Sequence, residues 1–211
     1  MNFYPHDLVK LNIVKILKQN PTFPEWVSQS LLSAPWVVVR RGEQKVGMIP
    51  VGVRGKTRSQ RQALTVSEQA VITKVSPYEL VHKKAWVSVD TSRKALPVFQ
   101  ALEAIVPIMR EFEWGIGGSA GYELASGRSM ANVHSDLDII VQKFPKISDK
   151  EALKLLAELN QYGVHIDLQV VEEQNGFSLE EYANNRSQTI LMKTDQGPRL
   201  VTDPWKVVTE K

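Results

Sequence analysis

The chain has 211 residues, 43% of them hydrophobic and 23% charged, an ordinary globular composition with length enough for one large domain or two small ones. It contains no cysteine, which excludes disulfides, thiolate nucleophiles, zinc ribbons and iron–sulfur ligation, so a bound metal would rest on carboxylates, carbonyls or the four histidines and a hard cation is favoured. The 26 Lys and Arg against 23 Asp and Glu leave a net charge of only +3, too mild to announce nucleic-acid binding; with no apolar run of the roughly 18 to 20 residues a bilayer span needs and no leader-like N-terminus, a cytoplasmic protein without membrane or nucleic-acid partners is expected.

Near the N-terminus, Asp7 is placed to cap a helix from about Leu8. Pro24 to Leu32 reads as a short helix ended by Pro35, because Trp26, Val27, Leu31 and Leu32 recur near helical spacing. Trp36 to Arg41 reads as a strand, and Gly42-Glu43 turns it into a second arm, Lys45 to Val53, to make a hairpin. Pro50 argues that this second arm is an edge or is bulged. Arg54 to Arg61 reads as a polar loop, and Ala70 to Val75 as a further strand. Between Val81 and Lys94 the pattern weakens, which marks a boundary near residue 85, although a single composite fold fits as well.

Beyond it, Phe99, Leu102, Ile105, Val106, Met109 and Phe112 form the stripe of a core-packed helix from Leu96, with Pro97 in its first turn and Pro107 expected to kink it. A glycine-rich strand-to-helix turn, Gly115 to Ser119, precedes a compact strand, Asp136 to Val141. Ser148 and Glu151 have capping-box spacing for a helix that Gly163 stops near Tyr162. Val164 to Val171 alternates as a strand that puts His165, Asp167 and Gln169 on one face. Ser178 and Glu181 repeat the capping-box spacing.

Asp136 and Asp138 are the most informative residues, since alternate positions of a strand aim both carboxylates to one side. Their repulsion calls for a cation, and oxygen ligands with open positions suit a hard divalent ion. Asp167 supplies a third carboxylate if its strand is the neighbour, and a three-carboxylate site can hold two magnesium ions roughly 4 Å apart. An isolated Asp-x-Asp is more often a solvated strand end. Gly118-Ser119 upstream raises the odds, because bare backbone and helix N-terminal amides can cradle a phosphate there; the bland reading is a tight turn without a ligand. Arg40, Arg41, Lys45, Arg54, Lys56, Arg58 and Arg61 cluster around a single acid, Glu43, either as a solvated hairpin face or as an anion-capturing one. His134 reads best as an exposed loop residue, and the five tryptophans as core or subunit contacts.

Gly118-Ser119, Ser135-Asp136-Leu137-Asp138 and Asp167 together are similar to the Gly-Ser, Asp-x-Asp, Asp signature of the polymerase-beta-like nucleotidyltransferases. Longer stretches narrow the likeness. Pro5-His6-Asp7-Leu8, Ala34-Pro35-Trp36-Val37-Val38-Val39-Arg40-Arg41, Ile49-Pro50-Val51-Gly52-Val53-Arg54-Gly55 with Arg58-Ser59-Gln60-Arg61, Gly118 to Gly127, and Gly197-Pro198-Arg199-Leu200 with Asp203-Pro204-Trp205 resemble the malonate decarboxylase holo-acyl-carrier-protein synthases, which are phosphoribosyl-dephospho-CoA transferases.

The resemblance implies an α+β fold: a nucleotidyltransferase-like mixed sheet flanked by helices over residues 86–211, and a smaller N-terminal α+β subdomain with the hairpin over residues 1–85. It implies transfer of a phosphoribosyl-dephospho-CoA group from triphosphoribosyl-dephospho-CoA to a serine of the apo acyl-carrier subunit, with release of diphosphate. The partner's serine is then the nucleophile, so this chain need supply none. Under that reading Asp136 and Asp138 ligate Mg²⁺ and Asp167 completes the site or helps to deprotonate the serine. Gly118 and Ser119 hold the triphosphate, while Arg54, Arg58 and Arg61 capture substrate or carrier. Two alternatives stay open: a nucleotidyltransferase that moves AMP onto a protein or small hydroxyl compound, and a catalytically silent member of the fold that binds RNA or protein through the basic hairpin.

Overall fold

A computed structural model describes residues 2–19, 23–43, 45–55, 57, 59–184 and 188–209. The chain divides into two units, Met1–Ser76 and Pro77–Lys211. Each combines helices with its own sheet, so the class is α+β.

The first unit contains β1 (Leu8–Leu11), α1 (Ile13–Gln19), α2 (Glu25–Ser33), β2 (Trp36–Val39), β3 (Met48–Arg54), β4 (Arg61–Ser67) and β5 (Val71–Val75). Its strands lie in the order β4-β3-β2-β1-β5, every pair antiparallel. Alternation puts Val37, Val39, Ile49, Val51 and Val53 on one face, where they form a core with Ile16 of α1 and with Val27 and Leu31 of α2. These last two are four residues apart, one helical turn.

Two expectations for this unit need correction. The hairpin of β2 and β3 forms, but β3 is not an edge, because β4 pairs with it in unbroken register from Met48↔Ser67 to Arg54↔Arg61. Pro50 is tolerated because its carbonyl, and with it its nitrogen, faces the end of β2: the Arg40 N–H donates to Pro50 O at 2.8 Å, and the strand has already stopped at Val39. The missing N–H therefore falls where the β2–β3 ladder ends rather than inside it. The polar loop expected over Arg54 to Arg61 falls between β3 and β4, which take only its two end residues, and β4 is an edge strand with an exposed face. Leu8 opens strand β1, held between β2 and β5, where sheet burial overrides local propensity. Asp7 is 2% exposed; its carboxylate accepts the Tyr4 N–H at 3.0 Å and pairs with Lys74 Nζ at 3.3 Å.

The second unit runs through α3 (Pro77–His82), α4 (Thr91–Lys94), α5 (Pro97–Met109), β6 (Glu113–Ile116), α6 (Gly118–Ser126), β7 (Leu137–Gln142), α7 (Asp149–Leu159), β8 (Ile166–Glu172), β9 (Asn175–Ser178), α8 (Leu179–Asn184), β10 (Ile190–Thr194), β11 (Gly197–Val201) and α9 (Pro204–Thr209). The sheet order is β11-β10-β9-β8-β7-β6, with β7 and β8 parallel across α7 and the other pairs antiparallel. The apolar stripe of α5 is buried at Phe99, Leu102, Ile105 and Met109, with Pro97 in the first turn and Pro107 inside the last. Ser148 and Glu151 close their capping box, and Gly163 takes φ +75° just past the 3₁₀ turn at residues 160–162. Trp205, 1% exposed, sits among Phe144, Phe177 and Tyr182, and Trp86 stacks on Trp114 at 6.4 Å. These three tryptophans are core residues. Among the described residues no helix is long and apolar enough to cross a membrane.

Candidate active site

The site follows from strand register. Leu137, Ile139 and Val141 of β7 pair with Ile166, Leu168 and Val170 of β8, and all six are buried in the core. The residues between them must face the other way. Asp138 is the direct partner of Asp167, and both are partly exposed, so the parallel pairing sets two carboxylates side by side on one face.

The turn from β6 into α6 lies against them. The Gly117 N–H donates to the Asp138 carbonyl at 2.9 Å. Gly118 has φ +58°, and a β-carbon there would overlap the Asp138 carboxylate. Glycine is required twice over, for the backbone conformation and for the approach. Gly118→Ala is expected to cost about 1–2 kcal/mol of stability for the left-handed conformation and about 100-fold in turnover, because the Asp138 carboxylate is pushed from its place. Thermal melting and steady-state kinetics on one preparation check both. Ser119, partly exposed, occupies the first turn of α6.

Asp136 is exposed and lies one residue before β7, two before Asp138. Among the described residues no three Asp, Glu or His side chains are gathered as a metal-holding group. What stands together is the pair Asp138 and Asp167 with Gly118 against it. The donor set is nonetheless that of a hard cation: carboxylate oxygens only, partly open to solvent. Arg54 and Arg61 belong to the other unit, where they are exposed direct partners across β3 and β4. Arg58 lies outside the described residues. His134 is exposed in the loop before Asp136, its N–H donating to Asn132 Oδ1 at 2.9 Å. His165 Nε2 lies 3.5 Å from Glu180, and His6 Nε2 lies 3.1 Å from Arg41 Nη1.

Two groups escaped the sequence reading. Glu123, on α6 and 6% exposed, accepts both guanidinium contacts of Arg93 at 2.8 and 2.7 Å and the N–H groups of Met130 and Ala131 at 2.7 and 2.9 Å. Arg93 also donates to the Ala131 carbonyl at 2.7 Å. This clamp fastens the segment that leads into Asp136 and Asp138 onto the helix that begins at Gly118. Burial pushes the Glu123 carboxyl up, but Arg93 and the two backbone N–H groups outweigh it and hold the group below its ordinary range. Glu123 lay within the Gly118 to Gly127 stretch, yet nothing in its spacing marked it as buried. The other is Lys193 on β10, whose Nζ donates to Gln169 Oε1 at 3.3 Å, while Gln169 Nε2 donates to Asp167 Oδ2 at 3.3 Å. A lone lysine in a short strand gives no local signal.

Comparison with known proteins gives the family. A family model described as the phosphoribosyl-dephospho-CoA transferase MdcG C-terminal domain matches residues 86–204, and the corresponding N-terminal domain matches residues 4–77. The chain belongs to the phosphoribosyl-dephospho-CoA transferase family, and it is a transferase. It is 35% identical over 206 residues to the phosphoribosyl-dephospho-CoA transferase of Pseudomonas syringae pv. tomato, covering 95% of this chain and 92% of that protein. It is 38% identical over 184 residues to that of Pseudomonas fluorescens, covering 86% and 85%. With the Klebsiella pneumoniae transferase it shares 36% identity over 202 residues, 95% of each chain. No solved structure gives a significant match. The C-terminal family domain contains the pair of aspartates, Gly118, the Glu123 clamp and Lys193, and the N-terminal one contains Arg54 and Arg61.

Proposed function

We propose that this transferase moves a phosphoribosyl-dephospho-CoA group from its triphosphate precursor onto a serine of the apo acyl-carrier subunit of malonate decarboxylase, as a nucleotidyl-type phosphoryl transfer. The observation that carries this reading is the pairing of Asp138 with Asp167 beside Gly118 in a chain of this family. The serine Oγ forms the new P–O bond at the phosphorus nearest the ribose, diphosphate leaves with the electrons of the broken P–O bond, and the hydroxyl proton passes to Asp167 or to solvent. Asp138 and Asp167, with Asp136 nearby, would hold Mg²⁺. Bound magnesium offsets the charge on the phosphates and on the departing diphosphate. The turn at Gly118 and Ser119 aligns the phosphate chain against the first-turn amides of α6.

Charge distribution favours a role for the first unit in capture. Residues 1–76 carry eleven Lys and Arg against four Asp and Glu, a formal +7, whereas residues 77–211 carry 15 against 19, a formal −4. Arg54 and Arg61 are exposed direct partners across β3 and β4, which sets two like charges together on this unit. Arg61→Glu is therefore expected to raise the Michaelis constant for substrate or carrier about tenfold and to flatten its salt dependence, with kcat nearly unchanged. Kinetics at two ionic strengths check this.

The decisive experiment mixes the chain with the apo carrier, the triphosphate precursor and Mg²⁺ and records the carrier's mass. A gain of one phosphoribosyl-dephospho-CoA group, stopped by EDTA, is the expected result. An unmodified carrier, or a gain of AMP when ATP is offered instead, would overturn the reading.

A further inference from the structure

We propose that Lys193 is the cation that receives the diphosphate end of the substrate's phosphate chain, with Gln169 holding its ammonium in line with Asp167; this rests on the reading of Asp138 and Asp167 as the reacting pair. The argument starts from register. Val171 of β8 pairs with Gly176 of β9, and Gly176 with Lys193 of β10, so Lys193 is on the face that carries Gln169, Asp167 and Asp138. A row of polar groups crosses four strands on that face. It begins with the two carboxylates, passes through the Gln169 amide and ends at the Lys193 ammonium.

The amide has a defined direction, because an ammonium can only donate and a carboxylate only accept. Its oxygen must face Lys193 at 3.3 Å and its nitrogen Asp167 at 3.3 Å. Gln169 is 7% exposed, and a side chain so enclosed keeps both contacts. The ammonium itself is partly buried and finds only that neutral oxygen. Among the described residues no carboxylate pairs with it. A positive charge drawn out of water without a counter-charge is an unfavourable arrangement that an anion corrects. A single amide, with one contact of 3.3 Å on each side, separates the ammonium from the Asp167 carboxylate. A phosphate chain whose reacting phosphorus is held at the carboxylate end would extend its terminal phosphates toward Lys193. The same contact would steady the departing diphosphate.

The test uses inorganic diphosphate with Mg²⁺ as probe and isothermal calorimetry on the full chain, alongside transfer kinetics. Lys193→Met is expected to weaken diphosphate binding about tenfold or more, the size of one charge-assisted hydrogen bond, whereas Lys193→Arg stays within about threefold of the parent. The Michaelis constant for the triphosphate substrate should rise in step, and product inhibition by diphosphate should weaken by the same factor. Equal diphosphate affinity in the parent and Lys193→Met, with melting temperatures unchanged, would overturn the assignment. Failure of the functional reading is separable. A parent chain that modifies no carrier yet loses diphosphate binding on Lys193→Met upholds the Lys193 site and removes the transferase reaction; a parent that modifies carrier as fast as Lys193→Met, with equal product inhibition, does the reverse.

Discussion

Asp138→Asn is expected to lower group transfer by about a thousandfold, roughly 4 kcal/mol of transition-state stabilisation, while leaving the fold intact. Asparagine keeps the shape and one oxygen of the carboxylate but not its charge. The substituted position is the register partner of Asp167 and lies directly under Gly118. Two carboxylates placed opposite one another repel, so without metal the variant should melt at the same temperature as the parent or slightly above it. The complementary readout is magnesium itself. Added Mg²⁺ should raise the melting temperature of the parent, because an ion that binds only the folded chain stabilises it, and should leave the variant unmoved. Full transfer by Asp138→Asn at saturating Mg²⁺, or an identical thermal response to the ion in both proteins, would remove the central assignment.

The largest expected loss of stability is at Glu123. Glu123→Ala leaves the partly buried Arg93 guanidinium and two backbone N–H groups without their carboxylate, and breaking a buried ion pair from one side costs about 3–5 kcal/mol. That is a large fraction of a typical domain's total stability, readable as a shift in the midpoint of urea unfolding. An Arg93→Ala, Glu123→Ala double variant should lose clearly less than the sum of the two single losses. The pH dependence has a definite sign. The folded-state carboxyl is held below its ordinary value of 4.5, so its contribution is complete above that value and is lost as pH falls through the depressed one. Glu123→Gln should therefore unfold with a flatter acid limb than the parent. Equal acid limbs in the two proteins would show that Glu123 is not held below its ordinary range by this clamp.

The elements legible in the sequence rest on local rules. The stripe of α5, the capping box of Ser148 and Glu151, the stop at Gly163 and the alternation of β8 each depend on residues within a turn or two of one another. The failures have a common cause in pairing. Leu8 to Leu11 became a strand because β2 and β5 flank it, and β3 is kept from the edge, despite Pro50, because β4 pairs along its whole length. At the site, Asp138, Asp167 and Gly118 were legible as residue types at suggestive spacing. Glu123 meets Arg93, and Lys193 meets Gln169, only because the fold brings together segments that are distant along the chain.

The amino-acid sequence by itself determined the absence of thiol chemistry and the identity of the acidic residues, since composition and short-range pattern are properties of the chain before it folds, and its resemblance to known relatives carried the family and the α+β class. Only the tertiary structure decided that Asp138 stands level with Asp167, that Asp136 lies outside the strand, and that Lys193 shares their face. A one-residue slip between parallel strands would have turned one carboxylate into the core, and register is set by the buried side chains of both strands together.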